Sequence, residues 1–318
     1  MEKLDVVALG TLAVDYYALV NRLCKKEEKT KALDYKIYPG GVSGNVLTQT
    51  SLLGLKSGWV GKIGDDSSGK ILLDEFKKNN IDYSHAEIMK GKNSMFTWIN
   101  VDKSGDRSIV MFPNVLTELT VEDLRSKHRE YIQSCRVLQI EACLLPLSLM
   151  LESAKIAKEV GVKVVFDLDV PPSEIESSKM GTLEELYQIL SLTDVLIPCK
   201  SAAKELINSE NFIEEGKNLL KYGPTTIAIT LEKQGCLVLN KDEQYVVGRV
   251  EVDKVVDTTG AGDSFHGGMI YSILNNYSLK EAGLFSNACG AFCCTNLGAR
   301  AMGNIHQIKD LIRKQKRE

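Results

Sequence analysis

The chain has no C-x-x-C pair, no H-x-x-x-H spacing, no apolar run of membrane-spanning length and no block of one charge apart from the closing "IRKQKRE". Each absence removes a class of function. Eight cysteines are scattered over 318 residues, and Cys289 and Cys293, four apart in a helical stretch, read as small apolar core residues of a reducing compartment. Four histidines are equally dispersed, so no zinc site is predicted. With a net charge of −3 and dispersed basic residues, neither nucleic acid nor an anionic membrane is an expected partner, and the basic tail reads as a solvated helix end. The opening "MEKLDVVALGTL" lacks the cationic region, long apolar core and cleavage site of a signal peptide, which predicts a cytoplasmic protein.

What is present is an ordinary globular composition, 44% apolar and 25% charged, arranged in alternation. "DVVALG" (5–10), "RVLQIE" (136–141), "KVVFD" (163–167), "DVLIP" (194–198) and "TTIAITL" (225–231) read as buried strands. Between them, residues 147–160, 183–190 and 211–223 carry apolar residues at helical spacing, so the expected fold is α/β, a doubly wound and mainly parallel sheet flanked by helices. Ligands bind such sheets at the carboxyl ends of strands, which directs attention to Glu141, Asp167, Asp169, Cys199 and Glu232. Two stretches, approximately 30–39 and 93–113, read instead as antiparallel strands, the second a hairpin turning at "DKSGD". They predict a small β-sheet lid inserted into a single domain covering 1–318.

"GDDSSGK" (64–70) imitates half of a phosphate-binding loop, but Ile71 stands where a magnesium-binding hydroxyl is needed and Asp65 and Asp66 would repel phosphate. A tight turn is the better reading. "DTTGAGDSFHGG" (257–268) lacks the third glycine of a dinucleotide fingerprint, having Phe265 there, yet it places unobstructed backbone amides at a helix start, where an anion is favoured. Asp263 at that start could be a plain cap, contributing about 1 kcal/mol. Beside a loop that holds a transferable phosphoryl group, the same carboxylate is suitably placed to take a proton from an attacking hydroxyl.

Residues 257–268 resemble the C-terminal signature of the PfkB/ribokinase family of carbohydrate kinases, and "YPGGVSGNVLTQTSLLGLKSGWVGKIGDDSSGK" (38–70) resembles the N-terminal one. The resemblance extends over nearly the whole chain and implies a ribokinase-like fold with a β-sheet lid. It implies Asp263 as catalytic base, with Gly260, Ala261 and Gly262 as the anion hole, and Asp15, Gly41 and Asn45 as sugar ligands. Taken singly, these last three also read as a cap or turn and a strand-end bend. "TLEKQG" (230–235) resembles the family's nucleotide loop, which places Thr230 and Gly235 near ATP, and Asn287 falls on the helix that flanks adenine in the family. A strand end, a hairpin glycine and a helix-face amide are the alternatives. "NLGARAMG" (296–303), with Asp257 and Thr259, corresponds to the loop that surrounds a monovalent cation such as K⁺ in many members.

One departure stands out. The family's N-x-x-E motif is replaced by "CKSA" (199–202), closer to the ketohexokinase-like branch, where a lysine follows, here Lys200. Mg²⁺ is then expected on ATP phosphates and water, with Glu141 or Asp167 nearby. The function implied is ATP-dependent phosphorylation of a sugar's primary hydroxyl. Arg107, at the lid hairpin, is either a contact for an acidic substrate or a solvated turn residue. The apolar lid strands suggest a homodimer formed through the lid. Two alternatives stay open: a nucleoside kinase of the same family, with Trp98 and Phe96 stacking on a base, and a non-catalytic sugar sensor, suggested by the missing acid.

Overall fold

The computed structural model describes residues 3–315 apart from Gly105. In chain order the strands are β1 (Leu4–Leu9), β2 (Ala13–Val20), β3 (Ala32–Gly40), β4 (Ser57–Gly64), β5 (Ala86–Met89), β6 (Phe96–Val101), β7 (Arg107–Phe112), β8 (Cys135–Ala142), β9 (Lys163–Leu168), β10 (Val195–Pro198), β11 (Thr226–Thr230), β12 (Cys236–Asn240) and β13 (Gln244–Val247). Nine form one sheet in the order β13-β12-β11-β10-β9-β8-β1-β4-β5, parallel except for the antiparallel β11–β12 and β12–β13 pairs. The near-continuous burial of β1, β4, β8 and β9 is what a parallel sheet covered on both faces requires. The expected doubly wound α/β fold is therefore present.

Chain direction across the sheet reverses at β1, which pairs with β4 on one side and β8 on the other. A crevice opens at the carboxyl ends of two such strands, because the loops leaving them run to opposite sides. Gly10 and Thr11 follow β1, and Glu141 closes β8, so sheet order alone brings these positions to one place.

The second sheet has the order β3-β2-β6-β7. Its flanks are the two stretches expected to form the lid, but its centre is β2, pairing antiparallel with β3 and parallel with β6. The lid is thus built from three stretches rather than two. Only residues 10–12 separate residues 13–20 from the buried strand that precedes them, too short a break to announce a second sheet. At the β6–β7 turn, Asp102 accepts from the amides of Ser104 and Asp106, and Gly105 lies outside the described residues.

The expected helices at 147–160 and 183–190 are observed as Leu147–Lys158 and Leu183–Leu192. That at 211–223 is not: one α-turn, Phe212–Glu215, passes into a 3₁₀ segment, Gly216–Tyr222. Gly216 is buried against Leu237 and Leu239, so close approach to β12 dictates this stretch more than its apolar period does. Asp66 caps the Ser67–Lys78 helix by accepting from the Gly69 amide (2.9 Å) and from Ser94 Oγ (2.6 Å), which leaves "GDDSSGK" as a capped turn. Cys289 and Cys293 are buried, as expected of core residues. The basic tail begins on the helix Ile305–Gln315, and residues 316–318 lie outside the described residues. Among the described residues no helix is long and apolar enough to cross a membrane.

Candidate active site

Glu141 forms the floor of the crevice. Its Oε1 accepts from the Thr11 amide (2.7 Å) and hydroxyl (2.5 Å), and Oε2 accepts from Ser43 Oγ (2.7 Å). Thr11 Oγ1 in turn accepts from the Val42 amide (3.0 Å). Gly10 makes this possible, since a Cβ there would lie 2.2 Å from Ser43 Oγ. The residue is 1% exposed, and burial raises its carboxyl to about 8. With both oxygens engaged by Thr11 and Ser43 and the group enclosed, Glu141 is poorly placed to reach Mg²⁺, and the expectation of it beside the metal gives way to a brace under the glycine loop.

Three of the expected sugar ligands gather around that loop. Gly41 precedes the Val42–Leu52 helix at φ 86°, where an added Cβ would sit 2.7 Å from the Ala13 amide nitrogen. Only glycine combines this left-handed backbone with that approach. Asp15, on β2, is buried against Gly40, at which a Cβ would fall 2.1 Å from Asp15 Oδ2. Burial raises the Asp15 carboxyl to about 6, opposed by the Thr97 hydroxyl and the Arg300 charge. Asn45, in the first turn, donates from Nδ2 to Asp263 Oδ2 (2.7 Å).

Asp263 belongs to the helix Ala261–Leu274, which starts from Gly260 in the left-handed region (φ 78°) with no side chain capping it. A Cβ on Gly260 would meet Ala299 O at 2.2 Å. The Ala261 amide bonds back to Thr258 O (3.2 Å), so it is spent inside the turn and withdraws from the expected anion hole. Gly262 stays exposed, with nothing within 4 Å of an added Cβ. Further along, Ser264 donates to Gln49 Oε1 (2.7 Å) and Gly267 lies flat against Gln49, so the "GAGD" helix packs tightly on the glycine-loop helix. Burial raises the half-buried Asp263 to about 6 against the pull of Asn45, His266 and Arg300, with Asp167 adding to the rise.

Asp257 accepts from the Thr259 amide (2.9 Å) and hydroxyl (2.7 Å) and, through Oδ2, from the Gly298 amide (3.0 Å). It stitches the "DTT" turn to "NLGARAMG". Among the described residues no group of three or more His, Cys, Asp or Glu side chains is placed to hold a metal ion. A cleft of about 770 Å³ runs between this turn and the lid, lined by Tyr17, Lys36, Arg107, Thr259 and Leu297 among others. Arg107 is exposed on its lid side, within electrostatic reach of Tyr17.

The expected nucleotide residues gather elsewhere, at the ends of β10, β11 and β13. Lys200 pairs with Glu232 at 3.0 Å, two residues beyond Thr230. Gly235, at φ 98°, turns the chain where a Cβ would lie 2.0 Å from Val247 O. Asn287 donates to the carbonyls of Val247 (3.0 Å) and Gly248 (2.9 Å), so its amide is committed to anchoring β13. Cys199 replaces the family's asparagine as a helix cap, its Sγ accepting from the Ala202 amide.

Sequence reading passed over Arg300. It donates from Nε to Asn45 Oδ1 (3.0 Å) and from Nη2 to Gly40 O (2.9 Å), while its Nη1 is buried without a partner. The signal available was slight, a lone charge among the small residues of "NLGARAMG". His266 was likewise unassigned. Its Nδ1 lies 3.0 Å from Asp167 Oδ2, off the axis of a hydrogen bond, one helical turn from Asp263. Asp169 is raised to about 7 by burial and by the charges of Asp167 and Asp263. Trp98 and Phe96 do not face the site: alternation places them opposite Asp15 and Thr97, where Trp98 stacks on Tyr16 and Phe96 on Phe112. That removes the residues proposed to stack on a nucleoside base.

A pfkB family carbohydrate kinase model matches residues 3–306. The ribokinase of Haemophilus influenzae is 30% identical, over 93% of this chain and 94% of its own length. A probable fructokinase of Arabidopsis thaliana is 29% identical over 96% and 92%. Among solved structures, an Arabidopsis thaliana ribokinase complexed with ribose and ATP superimposes with a TM-score of 0.84 at 19% identity, covering 98% of this chain and 99% of that one. Family model and relatives agree: the chain belongs to the pfkB family of carbohydrate kinases.

Proposed function

We propose that this kinase transfers the γ-phosphoryl group of ATP to a hydroxymethyl group of a sugar, with Asp263 as general base. The observation that carries this reading is the Asn45–Asp263 hydrogen bond at the uncapped start of the "GAGD" helix. Asn45 occupies Oδ2, which leaves Oδ1 to accept the proton of an incoming hydroxyl. A carboxyl held near 6 is mostly ionised at neutral pH yet basic enough to accept that proton. The helix start supplies its dipole and the exposed Gly262 amide to the migrating phosphoryl group, with Gly260 shaping the turn. Asp15, Asn45 and the backbone at Gly41 would hold the sugar hydroxyls.

The adenine end of ATP would lie along Thr230, Gly235 and Lys200, with Asn287 shaping that wall through β13 rather than by direct contact. Bound Mg²⁺ would supply charge neutralisation on the phosphates and would be held mainly by them and by water; among the described residues no set of three or more His, Cys, Asp or Glu side chains closes around a metal site. A monovalent cation such as K⁺ would act on the turn that Asp257 and Thr259 stitch to Gly298, and replacing K⁺ with choline in the assay checks this by a fall in kcat. Arg107, across the cleft from that turn, is the residue through which an acidic sugar would be selected. The lid face opposite Asp15 exposes Tyr35, Ile37, Trp98 and Val110, an apolar strip suited to a second copy of the lid.

A coupled ADP-release screen over pentoses, ketoses, aldonates and nucleosides tests the acceptor class. Turnover with at least one sugar or aldonate is expected, and turnover with nucleosides alone would reject the sugar assignment.

A further inference from the structure

Arg300 is half-buried in the candidate site. Its guanidinium lies 5.9 Å from the Phe76 ring centroid, and its one unpaired nitrogen, Nη1, is enclosed. Its two bonded nitrogens grip Gly40 O and Asn45 Oδ1, a contact that spans 255 residues of sequence. Gly44 is small because a Cβ there would lie 2.4 Å from Nη2. The far end of the same Asn45 amide donates to Asp263. An amide can present either its oxygen or its nitrogen to a neighbour, and here the choice matters. With the guanidinium on Oδ1, the NH₂ must face the carboxylate; the flipped amide would set donor against donor and acceptor against acceptor.

Resting on the reading of Asp263 as base, we propose that Arg300 is a positioning residue, which locks the Asn45 amide so that its NH₂ group faces Asp263 and Oδ1 of the base stays open to the acceptor hydroxyl. The groups that bear on Asp263 are Asn45 from the glycine-loop helix, His266 from its own helix, Asp167 in β9 with Asp169 just beyond, Cys143 after β8, Cys293 at the end of the helix Leu279–Cys293, Asp15 on β2 and Arg300 itself. Of these, Arg300 alone governs which end of the Asn45 amide is presented.

The test is the pH profile of kcat, with sugar and ATP saturating, for wild type, Arg300→Met and Arg300→Lys, each checked for wild-type secondary structure. In Arg300→Met the amide is free to turn its oxygen toward the base and the nearby positive charge is gone, so the acid limb moves up. A shift of about one pH unit lowers kcat below the limb roughly tenfold while activity recovers in alkali, and KM for ATP holds. Arg300→Lys keeps the charge but not the planar fork, so its limb falls between the two. It decides the matter should the methionine variant not fold. A folded variant with the wild-type limb overturns the proposal, as does a uniform loss of kcat at every pH, which marks a purely structural role. Asp263→Asn is run in parallel. If it retains turnover, the base assignment itself fails; if it is inactive while Arg300→Met keeps the wild-type profile, only the positioning role falls.

Discussion

Asp15, Glu141, Asp169 and Asp263 all have carboxyls raised by burial, to about 6, 8, 7 and 6. In each the folded state binds its proton more tightly than the unfolded chain does. Stability therefore declines as pH rises through this range, because deprotonation leaves poorly solvated charge in the folded protein. For Asp263 the penalty is full above pH of about 6 and absent below the unfolded value of 3.8. Asp263→Asn should raise Tm at pH 8 by on the order of 2–4 °C, with the gain vanishing near pH 4, as measured by scanning calorimetry at several pH values. As the proposed base the same carboxyl must be ionised, so kcat of the wild type should fall on acidification below about 6. The substitution that stabilises the fold is thus expected to silence it.

Two elements depend on glycine for geometry rather than flexibility. Gly260 takes a left-handed backbone and lies against Ala299 O, so Gly260→Ala meets both a conformational penalty of roughly 1–2 kcal/mol and a clash with a carbonyl that belongs to another loop. We expect Tm to fall by several degrees and kcat by tenfold or more, read by calorimetry and the coupled ADP assay. Such loops were legible from sequence because their demands are local: "GGVSGN" and "TTGAGD" state their own backbone needs within six residues. β1 and β9 were legible for a similar reason, since strands buried on both faces are written as near-continuous apolar runs. β2 was not, because its apolar content resembles a core strand and only pairing with β3 and β6 makes it the centre of the lid. Arg300, and the part Glu141 plays, were out of reach in a different way. Glu141 was legible as a strand-end residue, but its partner Thr11 lies 130 residues away, and Asn45 lies 255 from Arg300, contacts that no local pattern encodes.

One apolar cluster runs from Val7 and Trp59 through Phe166 to Leu237 and Met269, and it includes Ala13 and Val14 at the root of the lid. The lid is therefore continuous with the core at the end where Asp15 sits. Single-tryptophan variants, keeping either Trp59 in the core or Trp98 in the lid, should report coincident urea transitions, whereas an earlier Trp98 transition would make the lid a separate unit. The exposed strip of Tyr35, Trp98 and Val110 should self-associate, and Val110→Glu should lower the sedimentation coefficient of the native protein toward that of a monomer. All of this architecture converges on one carboxylate, set where the crevice at β1, the lid and the "GAGD" helix meet. The most direct test is single-turnover transfer from ATP to a sugar by Asp263→Asn. The account predicts a rate lowered by about 10²–10⁴ with ATP affinity retained, and transfer at the wild-type rate would contradict it.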